Sequence, residues 1–197
     1  LIAVKKERNT WLNLSDAEKN EMELLSQEYL RFLNQAKTER KTVGFIKKQA
    51  GEKGFVSLES LAELKPGQRV FVDHKGKAAI AAVIGHRPFV EGCNVVASHG
   101  DSPRLDLKPA PLYEEGGVAL FKTHYYGGIK KYQWTAIPLA MHGVVFKQNG
   151  QRIEVTIGED AGDPVFTITD LLIHLAKDQM EKKLGEGIGA EDLNVLV

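Results

Sequence analysis

The sequence has one cysteine, Cys93, which excludes an internal disulfide framework and any cysteine-rich zinc module. It has no excess of either charge, with 26 Lys plus Arg against 26 Asp plus Glu. A general nucleic-acid binder carries a clear basic surplus, so no nucleic-acid partner is expected. Long apolar runs are also missing. The longest uncharged and mostly apolar stretch, Trp134 to Phe146, falls short of the roughly 20 residues that cross a bilayer as a helix, and it contains Pro138 and Gly143. No secretory signal opens the sequence, so the expected setting is cytoplasmic and reducing, with no membrane contact. No internal repeat and no low-complexity tract is visible. What remains is ordinary globular material of 197 residues, 43% hydrophobic and 26% charged. It starts at Leu1 and ends on Asn194-Val195-Leu196-Val197, the opening of a strand without a stop signal, and so reads as a piece of something longer.

Local signals place the elements. Ser15-Asp16-Ala17-Glu18 is a capping box, and Met22, Leu25, Tyr29, Phe32, Leu33 and Ala36 follow at helical spacing to about Lys37. A second helix is expected over 38–49, with Val43 and Ile46 inward and Gly51 as its cap. The basic residues here, interleaved with Glu39 and Glu52, read as a solvated face. From Gln68 the period becomes two, and two runs around His74-Lys75-Gly76-Lys77 predict a hairpin. Asn94 to Ser98 reads as a strand buried on both faces, with Cys93 an inert small side chain before it. Beyond Pro103, short runs over 105–108, 118–123, 136–141, 143–147 and 152–157 read as strands, with a hairpin turn at Asn149-Gly150. An amphipathic helix is expected over 169–184. An α/β unit is therefore followed by a mostly antiparallel β unit with one helix.

His99-Gly100-Asp101 is the informative spot, at the carboxyl end of the expected buried strand, where open α/β sheets place ligands. Residues i and i+2 of an extended chain point the same way. His99 can then offer one ring nitrogen to a metal while Asp101 engages the other. By spacing alone, His-x-Asp is a weak motif, and a surface histidine beside a turn aspartate is its commoner meaning. Arg104 and Asp106 follow closely enough to lean toward the same spot. Asp170, His174 and Asp178 would share one helix face, a pattern met by simple i,i+4 pairing. A further alternative groups His99, Asp101, Asp170 and His174 in one metal site. Gly127-Gly128 lacks the spacing of a phosphate loop and reads as a turn. His124 and His142 read as strand positions.

The run Val95 to Pro109, centred on His99-Gly100-Asp101-Ser102-Pro103-Arg104, resembles the signature of the aspartyl aminopeptidase and aminopeptidase I family of zinc exopeptidases. The runs Thr123 to Trp134, with Thr123-His124-Tyr125-Tyr126-Gly127-Gly128 at its head, and Asp163 to Leu172, leading to His174, resemble it in the same order. Gly100 departs from the pattern, which leads one to expect a bulkier residue there. The resemblance implies that His99 ligates one of two zinc ions, with cobalt or manganese as alternatives, and that Asp101 orients it. It implies that His174 reaches a neighbouring subunit's active site. It implies short peptide substrates, cut by a metal-activated water, and a homo-oligomer formed through the β-rich part.

On that reading, residues 1–105 are the N-terminal part of an α/β metallopeptidase domain. Residues 106–197 are an inserted, mostly antiparallel β-rich oligomerisation (dimerisation) domain with one helix, incomplete at its C-terminus. The family's bridging aspartate, Glu-Glu pair, further aspartate and final histidine have no counterpart here, since Glu114-Glu115 comes too early. The chain alone is therefore expected to be inactive. The alternative is a non-catalytic assembly or docking fragment of such an enzyme.

Overall fold

The computed structural model describes residues 9–197. The chain divides into two compact units, the first ending at Asp101 and the second running from Ser102 to Val197.

In the first unit the capping box forms as the sequence requires. The Ser15 hydroxyl accepts from the Glu18 N–H at 3.3 Å, and the Glu18 carboxylate accepts from the Ser15 N–H at 2.8 Å. Helix α1 follows over Asp16–Gln35. Of its expected stripe only Met22, Phe32 and Ala36 turn away from solvent, while Leu25, Tyr29 and Leu33 stay exposed. Phe32 meets Phe45 of helix α2 (Glu39–Glu52) edge to face at 5.2 Å. Thr38 caps α2 through its hydroxyl. The buried face of α2 is Thr42, Val43 and Ala50, whereas Ile46, expected inward, is exposed. The left-handed turn after the helix falls on Gly54, later than the expected Gly51.

A three-stranded sheet lies against α2. Its strands are β1 (Val56–Ser57), β2 (Arg69–His74) and β3 (Ala78–Val83), in the order β1-β2-β3. The hairpin pairs His74 with Ala78 across the three residues 75–77, of which Lys75 and Gly76 both have positive φ.

One expectation fails here. Residues 94–98 join no ladder, and Val96 is 101% exposed. A strand of this apolar type is stabilised by neighbours on both edges and cover on both faces. None of the described strands pairs with it, so the run stays bare, and Cys93 before it is exposed as well.

The second unit is built on antiparallel hairpins. Strand β4 (Arg104–Glu115) pairs with β5 (Val118–Tyr126) around Gly116-Gly117, both with positive φ. The register slips between Leu107 and Leu112, where Pro109 and Pro111 flank Ala110 at φ 51°. Strands β6 (Met141–Phe146) and β7 (Arg152–Ile157) form the Asn149-Gly150 hairpin. Residues 136–141, expected as a strand, form only a bridge from Leu139 to Phe166 before β6 begins. The last strand, β8 (Val195–Leu196), pairs with β5. Phe166, Ile168, Ile188, Leu193 and Val195 form the core, with Phe121, Trp134 and Met141 packed against them.

The helix expected over 169–184 is a correction. Only one turn forms, α3 (Lys177–Met180). Leu171, Leu172, Ile173 and Leu175 are all exposed, so no buried face rewards helix formation. The Asp170 carboxylate also accepts from the Leu171 N–H at 2.8 Å, an arrangement that competes with helical bonding. Asp170, His174 and Asp178 consequently share no helix face.

Candidate metal-ligand site

His99 follows the bare 94–98 segment and Asp101 ends the first unit. The Nδ1 atom of His99 lies 3.0 Å from Oδ1 of Asp101 and 2.9 Å from the Asp101 carbonyl oxygen. A carbonyl and a carboxylate only accept, so Nδ1 carries the proton and donates it. In the imidazole tautomer with the proton on Nδ1, the ring lone pair is on Nε2. The His99 side chain is 83% exposed and Asp101 31%, so the pair sits at an open surface with the orienting carboxylate partly covered. This is the hydrogen bond that fixes tautomer and ring direction for a metal-bound histidine.

Gly100 between them faces α2. A methyl group placed on it would stand 3.3 Å from Cγ2 of Thr42. Sequence reasoning did not find Thr42, because its place beside Gly100 depends on the fold and on no local motif.

The other named residues belong to the second unit, and their contacts within it are these. Arg104 and Asp106 pair with each other on β4, Nε to Oδ1 at 2.7 Å, and the Arg104 guanidinium lies 4.2 Å above the Tyr126 ring. His174 lies on the exposed 171–175 segment. Its neighbour Asp170 is held by three donors: the side-chain amide of Gln179 at 3.0 Å, the Leu171 N–H, and the Thr135 hydroxyl at 3.3 Å. The Gln179 bond first, then that from Leu171, holds the Asp170 carboxyl below its ordinary range. His142 on β6 meets Glu159 at 2.7 Å, and His124 on β5 stacks on Tyr125. Gly127 turns the chain after β5 and packs on Pro103. Among the described residues, no group of three or more His, Cys, Asp or Glu is gathered to hold a metal ion. No described helix is long and apolar enough to cross a membrane.

Residues 32–195 match the family model described as aminopeptidase I zinc metalloprotease (M18). A probable M18 family aminopeptidase 1 of Borrelia garinii is 44% identical over 193 residues, covering 98% of this chain and 42% of the relative. The probable M18 family aminopeptidase 1 of Thermotoga maritima is 48% identical over 189 residues, covering 96% and 41%. The crystal structure of the M18 family aminopeptidase from Thermotoga maritima superposes with a TM-score of 0.86 at 47% identity, covering 96% of this chain and 41% of that one. That of aminopeptidase I from Clostridium acetobutylicum does so with a TM-score of 0.84 at 39% identity, covering 98% and 43%. The chain thus spans about two fifths of the length of the proteins it matches.

Proposed function

The chain belongs to the aminopeptidase I zinc metalloprotease (M18) family, and from that premise we propose that it is the part of a metal-dependent aminopeptidase that supplies one zinc ligand, His99, and a β-rich subunit-contact domain. The observation that carries the proposal is the His99–Asp101 pair: Nδ1 is committed to two acceptors, and Nε2 is left with a free lone pair on an exposed ring. That donor suits zinc, and suits cobalt or manganese as well. The complete enzyme would hold two metal ions, which supply Lewis-acid polarisation of the scissile carbonyl and a water acidic enough to attack it near neutral pH.

The roles of the chain's own residues follow. His99 presents Nε2. Asp101 keeps the proton on Nδ1 and fixes the ring plane. His174, from its exposed loop, contacts substrate in a neighbouring subunit of a homo-oligomer and offers an N–H to the oxyanion. Substrates are short peptides with a free N-terminus, and the setting is the cytoplasm. A catalytic zinc takes three protein ligands, so the chain by itself is inactive.

A second reading, a non-catalytic assembly fragment, is favoured by the exposed apolar residues of α1 and of the 171–175 loop. Zinc content and hydrolysis decide between the two. In a longer protein containing this chain, two zinc ions per subunit and release of N-terminal residues are expected. His99→Ala should remove one zinc and lower activity by at least about tenfold. The 197-residue chain alone should hold no stoichiometric zinc. Unchanged zinc and activity in His99→Ala would overturn the assignment of His99, and a longer protein with no zinc and no hydrolysis would leave the assembly reading.

A further inference from the structure

The loop that carries His174 is held at both ends by the core and between them by almost nothing apolar. Ile168, at its entry, is fully buried and its carbonyl accepts from the Ala136 N–H at 2.8 Å. Ala176, at its exit, is buried and its carbonyl accepts from the Met180 N–H at 2.9 Å. Between these anchors Leu171, Leu172, Ile173 and Leu175 all face solvent. Side-chain packing therefore does not define the shape of this segment, and hydrogen bonds must.

Those bonds converge on one carboxylate. Oδ1 of Asp170 accepts from the Leu171 N–H at 2.8 Å and from the side chain of Gln179, nine residues on, at 3.0 Å. Oδ2 accepts from the Thr135 hydroxyl at 3.3 Å, which ties the clasp to the segment hydrogen-bonded to Ile168. Inside the loop, the Leu175 N–H donates to the Leu172 carbonyl at 2.8 Å.

We infer that Asp170 is a positioning residue: its carboxylate clasps the 170–179 loop shut and so sets where His174 is presented. This rests on the reading of His174 as a substrate contact in a neighbouring subunit. Asp170 touches no reacting atom on this account and acts only through the loop. An acceptor is what the clasp requires, and a charge is not. An asparagine keeps Oδ1 for Leu171 and Gln179, and its amide can donate to Thr135, whose hydroxyl also accepts. An alanine removes all three bonds.

The test uses the complete zinc-loaded enzyme. Asp170→Ala should lower kcat about tenfold with KM moving less than about threefold. Asp170→Asn should restore kcat to near the parent value. Gln179→Met, which opens only the far end of the clasp, should give an intermediate loss. His174→Ala should also lower kcat, and adding Asp170→Ala to it should cost nothing further. The readout independent of catalysis is amide hydrogen exchange, in which Leu171 and Leu175 should exchange about tenfold faster in Asp170→Ala and at the parent rate in Asp170→Asn. If His174→Ala lowers kcat while Asp170→Ala changes neither kcat nor exchange, the clasp is overturned and the role of His174 stands. If His174→Ala leaves kcat unchanged, the role of His174 falls, and the positioning inference falls with it.

Discussion

Gly100 packs against Thr42. The Thr42 side chain is 4% exposed on the inner face of α2, and its Cγ2 occupies the ground a side chain at position 100 would need. The small residue between His99 and Asp101 is therefore matched by a β-branched residue more than fifty positions away. Gly100→Ala should destabilise the first unit by about 1 kcal/mol, the lower range for a tight added methyl. Thr42→Ser deletes Cγ2 itself and should recover most of that loss when combined with Gly100→Ala. Urea unfolding of the two single variants and the double variant checks this, and additive losses would show that the two residues do not compete for space.

His99 has two acceptors for one proton, and this makes a sharper claim than a carboxylate alone would. Asp101→Asn weakens the side-chain partner, but the Asp101 carbonyl stays 2.9 Å from Nδ1. The Nδ1–H tautomer should persist in the variant. Long-range proton–nitrogen correlation spectra of the imidazole would show this directly. Zinc affinity of the complete enzyme should then fall by about tenfold, the low end of what loss of an orienting partner costs. A switch to the Nε2–H tautomer would mean that the carboxylate alone sets the proton.

Asp73 shapes the first hairpin. It accepts from the Gly76 N–H at 2.7 Å and from Lys47 at 3.2 Å, and these bonds, the Gly76 one foremost, hold its carboxyl below the ordinary range. A carboxylate with a depressed folded-state pKa stabilises fully above its unfolded value, and that stabilisation is lost as pH falls through the folded value. The hairpin contribution should be intact at neutral pH and vanish only under acid conditions. Stability of Asp73→Ala should lie below the parent at pH 7 and converge on it as the pH drops under the usual carboxylate range. Parallel pH profiles would show that Asp73 does not titrate with folding.

What was legible in the sequence was local. The Ser15–Glu18 box, the Gly76 turn and the Asn149-Gly150 turn each involve residues within a few positions, and each forms. The candidate pair is of the same kind, since His99 and Asp101 are two residues apart. What failed depended on partners far along the chain. The apolar spacing of 169–184 gives a helical stripe, but a stripe stabilises a helix only when something covers it, and here Leu172, Leu175, Met180 and Leu184 are all exposed while only Ala176 is buried. The run 94–98 has strand composition without strand neighbours. Thr42 and the Asp170 clasp carry no sequence signature, because both are contacts between segments that only folding brings together.

The end of the chain shows the same dependence from the side of stability. Residues 186–193 form no regular element, yet Ile188 and Leu193 lie in the core. Leu193 is 1% exposed, and its carbonyl accepts from the buried Thr123 hydroxyl on β5. One residue thus closes the apolar core and anchors the β5–β8 edge. Leu193→Ala should cost about 2–5 kcal/mol, since a fully buried leucine leaves a cavity as well as lost transfer energy. Thr123→Val keeps the shape but strands a buried carbonyl, and should cost about 1–3 kcal/mol. The two residues share one contact, so the double variant should lose less than the sum. Denaturant unfolding of the single and double variants, followed by Trp134 fluorescence beside the same core, measures that coupling. Full additivity would mean that the hydroxyl and the leucine side chain hold the edge independently.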